Sequence, residues 1–411
     1  MRGAGQAAGA QGAVSPEGPG LRWQRLVRRC LFLGLLLVAG DRLLGLVLPP
    51  RGDDPFYRPG WWSLPRCVAQ IQAFHRAHPD RPIIVFLGPS TAWGAAASRG
   101  KAIPEAFGTL LRQRYRHGPL SRARVFNLCL LGNTAAGDYY TLRAVAGVAT
   151  ATYWQLHYYP FAERGWLDLH PWLVPLLGRW PSAQERRDLG GEWAERELTW
   201  DAACSLWLAQ HWPLYRDRFA LRALLYRSEQ TPATAGYEAY ESWLEGTGRE
   251  HRPVAAARLA SNRQEAWEHR FWNREWLELP PRLRQDYARK ARLNYHCPPI
   301  ARGNRNLAFV RRTLALARQY RLPLFTYTAV FNQPVMEPGW VQGEYQRNMS
   351  VVKGVFAQAG MPLVDYNDLP PRPAHYFHDF DHLVDAGTTW QARQLLEDSA
   401  PFLEESVRAR R

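Results

Sequence analysis

Short apolar-rich runs alternate along this chain with segments whose apolar positions recur every three or four residues. The runs are IIVFL (83–87), ARVFNLCLL (123–131), TATYWQLHYY (150–159), LPLFTYTAV (322–330) and MPLVDY (361–366). The first of them, Ile83 to Leu87, is a continuous apolar run with β-branched residues, which suits a central strand of a parallel sheet. Helical periodicity predicts helices over 66–78, 104–116, 138–149, 306–320 and 344–359, with a single closing helix over 387–405. Pro104 stands in a first-turn position, where its missing N–H costs nothing. Strands alternating with helices predict an α/β fold, a doubly wound parallel sheet held between two helical layers.

Two stretches depart from the alternation. From Phe161 to about Ile300 the chain holds 11 of its 18 tryptophans, many charges and helical segments such as SLWLAQHWPLYRDRFALRALLYR. This reads as a mainly helical insertion, most of whose tryptophans belong to a core while others could stack on sugar rings or sit at a bilayer interface. The second departure is at the N-terminus, where residues 1–20 are a Gly, Ala and Pro mixture predicted to be disordered. Residues 21–50 then place Arg22, Arg25, Arg28 and Arg29 before an apolar stretch from Cys30 to Leu48 that only Asp41 and Arg42 interrupt. Those 19 residues, at about 1.5 Å each, approach the ~30 Å of hydrocarbon that a helix must cross.

Three readings of that segment stand. It is an uncleaved transmembrane anchor, a cleaved export signal with Val38 and Gly40 before the cut, or an amphipathic helix. The anchor is favoured because apolar residues resume at once after the charged pair. Positive charge before the span puts the N-terminus in the cytoplasm and residues 51–411 outside it. The expected plan is therefore an anchor (21–50), a first part of the α/β domain (51–160), the insertion (161–300) and a second part (301–411).

A length of 411 residues allows a large core, and 46% apolar residues make most of the chain globular. The formal net charge of +15 favours anionic surroundings. The basic residues are scattered and no zinc-finger, basic-zipper or RNA-binding signature appears, so a membrane surface or an acidic polymer suits the charge better than nucleic acid. Five cysteines form no close metal or redox pair, and Cys129, inside an apolar run, reads as core.

In doubly wound sheets, sites form beyond the carboxyl ends of the strands. Ser90 in FLGPSTAWG, Gly132 in NLCLLGNT and the residues near Tyr158 all fall there. In HDFDHLVDAG, Asp379 stands three residues before His382, a spacing that lets the carboxylate accept the imidazole Nδ1 proton and leaves the other nitrogen to act as a base. Asp381 and Asp385 flank this pair and read as solvated loop carboxylates. His375 and His378 lack a third ligand at metal-binding spacing, so neither a metal nor another cofactor is expected. Asn332, after a strand, reads as a turn residue.

Taken in order, the three blocks resemble the SGNH (GDSL-like) esterases and acyltransferases. Gly88, Ser90 and Gly94 match the family's serine block; Asn127, Gly132, Asn133 and Thr134 match its oxyanion-glycine block; Asp379, His382, Leu383 and Gly387 match its final block. Two departures stand out: Pro89 replaces the usual aspartate, and YWQLHYYP lacks the asparagine of the third block. His157 and Tyr158 occupy that region and read as ordinary strand-end residues. With its single N-terminal anchor, the chain is similar to the membrane-anchored D-alanyl-lipoteichoic acid transfer proteins and the alginate O-acetyltransferases. The resemblance implies a Ser90 nucleophile, a His382 base, an Asp379 partner and an oxyanion donor at Gly132. It also implies a polysaccharide or lipid-linked glycan acceptor and a multi-spanning acyl-donating membrane protein as partner. An esterase, and a non-catalytic envelope protein on an eroded scaffold, remain the alternatives.

Overall fold

The computed structural model describes residues 19–47, 58–60, 63–162, 176–190, 198–216, 274–301, 303–336 and 338–410, with Leu173 and Trp193 besides. Residues 1–18 of the stretch expected to be disordered, most of residues 51–62 and residues 217–273 of the insertion lie outside these, whereas Pro19 and Gly20 begin a helix rather than end a disordered tail. The chain divides into two units, Met1–Pro49 and Pro50–Arg411.

The first unit holds one helix, α1 (Pro19–Val47), unbroken over 29 residues. Its Leu31, Phe32, Leu33, Leu35, Leu36 and Val38 side chains are all more than half exposed. Among the described residues no helix is long and apolar enough to cross a membrane. The side chains of Asp41 and Arg42, and of most of the apolar stretch beyond them, lie outside those described.

The second unit is built on five parallel strands, β1 (Ile83–Leu87), β2 (Arg124–Asn127), β3 (Ala151–Leu156), β4 (Leu324–Thr328) and β5 (Leu363–Val364), in the order β2-β1-β3-β4-β5. All five expected strands are present, each shorter than its apolar run except β1. In β2 the regular ladder stops at Asn127, whose side chain accepts the Cys129 N–H at 3.0 Å. The backbone nevertheless keeps bonding to β1, through Leu128 N–H to Phe86 O and Leu130 N–H to Gly88 O.

The pleat of β1 divides its side chains between two cores. Ile83, Val85 and Leu87 join α2 (Leu64–Ala77), α5 (Ala135–Val145) and the helix Arg305–Gln319 on one face. Ile84 and Phe86 join α4 (Ile103–Arg114) and the C-terminal helices on the other. Phe86 stacks on Tyr153 of β3 with ring centroids 4.7 Å apart, and Phe107 of α4 packs against both rings. The three-layer arrangement follows from strands that are apolar on both faces.

The closing segment differs from its expected form. It comprises two helices, Asp385–Asp398 and Ala400–Ala409, which meet at Ser399. Pro401 explains the break, because its ring and missing N–H cannot continue the first helix. Cys129 is fully buried, as expected of a core thiol, and all five cysteines are free. The described part of the insertion is helical, including Ala183–Leu189, Trp200–His211 and Pro281–Tyr295. Its tryptophans divide: Trp193 and Trp276 are buried, while Trp200 and Trp207 are 82% and 59% exposed.

Candidate active site

The strand order reverses between β1 and β3, and the crevice beyond their carboxyl ends is where such sheets place ligands. Ser90 stands there, half-buried, as the first residue of the four-residue helix α3 (Ser90–Trp93). The turn into it needs glycine. Gly88 has φ +149, and a Cβ there would come within 3.0 Å of the Gln155 Cβ on β3. The turn out needs glycine too, since a Cβ on Gly94 (φ +87) would sit 2.5 Å from that of Ala102.

Asp379 and His382 lie on a tight loop closed by an antiparallel bridge between Phe377 and Leu383 and by the His378 N–H bonding His382 O at 2.8 Å. Within it, Asp379 Oδ1 accepts the N–H groups of Asp381 at 3.0 Å and His382 at 2.8 Å. The same carboxylate therefore shapes the loop and, through Oδ2, faces His382 Nδ1 at 2.8 Å. His382 Nε2 lies 2.9 Å from Ser90 Oγ across 292 positions of sequence. The structure thus brings together the three residues that the sequence put forward as nucleophile, base and orienting acid. Asn332, fully buried beyond β4, does more than make a turn: its side chain donates to Asp379 O at 3.0 Å and its N–H to Phe380 O at 2.8 Å.

Gly132 occupies an exposed turn at φ +65, two residues beyond the Leu130 N–H that binds Gly88 O. Beneath that turn lies Asp138, buried in α5. It accepts Asn133 Nδ2 at 2.6 Å and Trp154 Nε1 at 2.8 Å, and also bonds the Gly88 N–H. One carboxylate thus ties the serine turn, the Gly132 turn and β3 together. Burial pushes it up to about 7, against the pull of the Trp154 and Gly88 donors. A native carboxyl held above its unfolded value binds protons the unfolded chain has released, so its contribution to stability is complete below about pH 4 and is lost as the pH rises to about 7. In urea unfolding across that window, wild type should therefore lose stability relative to Asp138→Asn. A constant difference between the two would show that Asp138 ionises normally.

Arg58, ahead of α2 in the chain, pins the segment that follows the serine helix. Its guanidinium donates to Gly94 O at 2.7 Å, Ala97 O at 2.8 Å and Ser98 O at 2.5 Å, and pairs with the buried Glu105 at 2.9 Å. Removing one partner of a buried pair strands the other, so Arg58→Ala should cost about 3–5 kcal/mol of unfolding free energy. Denaturant titration reads this directly, and a loss below about 1 kcal/mol would mean that the pair acts like an exposed one.

Three readings of the flanking residues need correction. Asp381 is not a solvated loop carboxylate. It is 3% exposed, with Oδ2 2.6 Å from His157 Nε2 and 2.5 Å from the Tyr295 hydroxyl. Its Oδ1 lies 3.0 Å from His382 Nδ1. His157 is accordingly more than a strand-end residue, whereas Tyr158 is a buried core tyrosine that accepts a hydrogen bond from Asn348. Asp385 is also engaged, accepting the Ser98 N–H at 2.7 Å. His375 is exposed, and the buried His378 bonds Arg274 O and Tyr287, away from His382 Nδ1.

Electrostatically, the site favours a charged imidazole. Burial alone would suppress it, but the carboxylates of Asp379 and Asp381 outweigh that and hold His382 well above the ordinary histidine range. Burial likewise opposes ionisation of Asp381, yet His382 and the His157 hydrogen bond hold its carboxyl well below the usual range. Asp379, Asp381 and His382 offer ligand atoms within 4.8 Å of one another. A cation among them would have to displace the Nδ1 proton that both carboxylates face, so the donor pattern fits a hydrogen-bonded cluster better than a metal site.

No protein-family model matches the chain, and no curated protein matches it.

Proposed function

We propose that this protein is a serine O-acyltransferase of SGNH type, anchored by its N-terminal helix, whose α/β unit acts outside the membrane on a cell-surface polysaccharide or lipid-linked glycan. The observation that carries the chemistry is the continuous chain from Asp379 Oδ2 through both nitrogens of His382 to Ser90 Oγ, with links of 2.8 and 2.9 Å. An unactivated hydroxyl is a poor nucleophile, and a base at hydrogen-bond distance, itself oriented by a third group, is what activates one.

In the first half-reaction, Ser90 Oγ attacks the carbonyl of an ester or thioester while His382 Nε2 takes its proton. The tetrahedral oxyanion is bound by backbone N–H groups, those of Ser90 and Gly132 in this reading, each such donor being worth roughly 3 kcal/mol. Collapse breaks the bond to the leaving group, which receives the proton from His382 and leaves an acyl-serine. In the second half, a sugar hydroxyl gives its proton to His382 and attacks the acyl carbon, and His382 returns a proton to Ser90 Oγ. With water as acceptor the same steps make an esterase.

The membrane assignment rests on the exposed apolar side chains of α1 and on the four arginines that precede its apolar stretch. A multi-spanning membrane protein as acyl donor would suit an acceptor site outside the membrane. The acyl chemistry is tested with a serine-reactive fluorophosphonate. The full-length wild type should be labelled, with labelling lost in Ser90→Ala and sharply reduced in His382→Ala. No labelling of folded wild type, or equal labelling of all three, would overturn the reading and leave a non-catalytic scaffold.

A further inference from the structure

A single imidazole N–H in this site faces two carboxylates, and the second of them comes with its own supports. Asp381 Oδ1 lies 3.0 Å from His382 Nδ1, only slightly farther than Asp379 Oδ2 at 2.8 Å. The other oxygen of Asp381 is held from two further directions. His157, just beyond β3, approaches at 2.6 Å, and Tyr295, the last residue of the insertion helix Pro281–Tyr295, at 2.5 Å.

The proton positions follow from the partners. His157 Nδ1 accepts the Tyr159 N–H at 3.2 Å, so the ring's proton is on Nε2 and is donated to Asp381. The Tyr295 hydroxyl donates to the same oxygen. A carboxylate receiving two such donors on Oδ2 stays ionised, which leaves Oδ1, with no hydrogen bond of its own, as negative charge 3.0 Å from His382 Nδ1.

We propose that Asp381 is a second positioning carboxylate for His382, fixed by His157 and Tyr295, and that it stabilises the imidazolium formed whenever His382 takes a proton from a hydroxyl. The arrangement makes the insertion part of the acid–base machinery, because Tyr295 is its contribution to the cluster. It also carries a cost. An imidazole between two anions holds its proton more tightly than a free one, so its basic form accumulates only at a higher pH than an ordinary histidine's. Among the described residues, the groups that face His382 include Ser90, Asp379 and Asp381, with His157 and Tyr295 behind Asp381. His378, whose ring is turned to Arg274 O and Tyr287, is held below the ordinary histidine range by burial.

The consequence for rate rests on the acyl-transfer reading, whereas the effect on the imidazole does not. Two measurements on the full-length protein therefore separate them. The first follows the His382 ring by nitrogen NMR from pH 5 to 10. In wild type the ring should titrate above the ordinary value of about 6.5, and in Asp381→Asn its midpoint should fall by about 1–3 units, the usual effect of losing an opposite charge at this range. The second follows the rate of fluorophosphonate labelling of Ser90 over the same range. Its acid limb should move down in pH by the same amount in Asp381→Asn, and removal of the Tyr295 hydroxyl in Tyr295→Phe should lower the plateau without abolishing labelling.

A wild-type His382 titrating at or below about 6.5, or a midpoint unchanged in Asp381→Asn, would overturn the proposal even with Ser90-dependent labelling intact. Absence of labelling in wild type at every pH would instead remove the acyl-transfer reading, and the NMR midpoints alone would then decide whether Asp381 acts on the ring. Should Asp381→Asn fail to fold, Asp379→Asn decides instead: a His382 midpoint still above about 6.5 there supports the proposal, and an ordinary one ends it.

Discussion

Ser90→Ala should reduce acyl transfer from an activated ester such as p-nitrophenyl acetate by about 10⁵–10⁶-fold, equivalent to roughly 7–8 kcal/mol of barrier. The expectation is this large because the hydroxyl is the atom that bonds to the acyl group and lies 2.9 Å from His382 Nε2. A residual rate about 10³-fold above the uncatalysed reaction should survive, since oxyanion donors and binding act without the nucleophile. His382→Ala should fall to nearly the same level, and the double variant little further, because the two act as one unit. The fold should be untouched: Ser90 is half-buried, and its backbone bonds to Gly94 and Ala95 do not involve the side chain. Parallel kinetics and urea melts check both halves. Transfer retained within tenfold in a folded Ser90→Ala would show that some other group carries the acyl chain, or that none does.

That the proposed nucleophile, base and acid were legible in the sequence, while much of their setting was not, has a physical cause. Asp379 and His382 are three residues apart and share a loop, so their pairing is local. Ser90 was recognisable because a strand that ends in Gly-Pro-Ser must place its next side chain at the sheet rim. The sheet was legible for a similar reason: its central strands β1, β3 and β4 are buried on both faces, which leaves no alternation to misread. Asp381 is different. Its partners lie 224 positions away at His157 and 86 away at Tyr295, and nothing local distinguishes it from a solvated aspartate. The same holds for Arg58, whose acceptors begin 36 positions on, and for Asp138, whose burial depends on three converging elements. The split of the last helix is a different kind of miss. Pro401 marks it in the sequence, and a reading by apolar period alone passes over it.

Asp379→Asn tests how the two carboxylates divide their work. In serine hydrolases that keep one orienting aspartate, the corresponding change costs about 10⁴ in kcat, because the amide turns an N–H toward Nδ1 and selects the wrong tautomer. The same steric replacement is available here. The asparagine oxygen can still accept the Asp381 and His382 N–H groups that shape the loop, which leaves its NH₂ facing Nδ1. Asp381 opposes that outcome, since its Oδ1 stays 3.0 Å from Nδ1 and keeps the proton there. The loss should therefore be smaller, about 10²–10³-fold, with the remainder of the ~10⁴ appearing only when Asp381→Asn is combined with it. Steady-state rates for the two single variants and the double variant, each measured on the plateau of its own pH profile, give the coupling. A full 10⁴-fold loss in Asp379→Asn alone would assign orientation wholly to Asp379. A loss under tenfold in the double variant would mean that His382 is not the base.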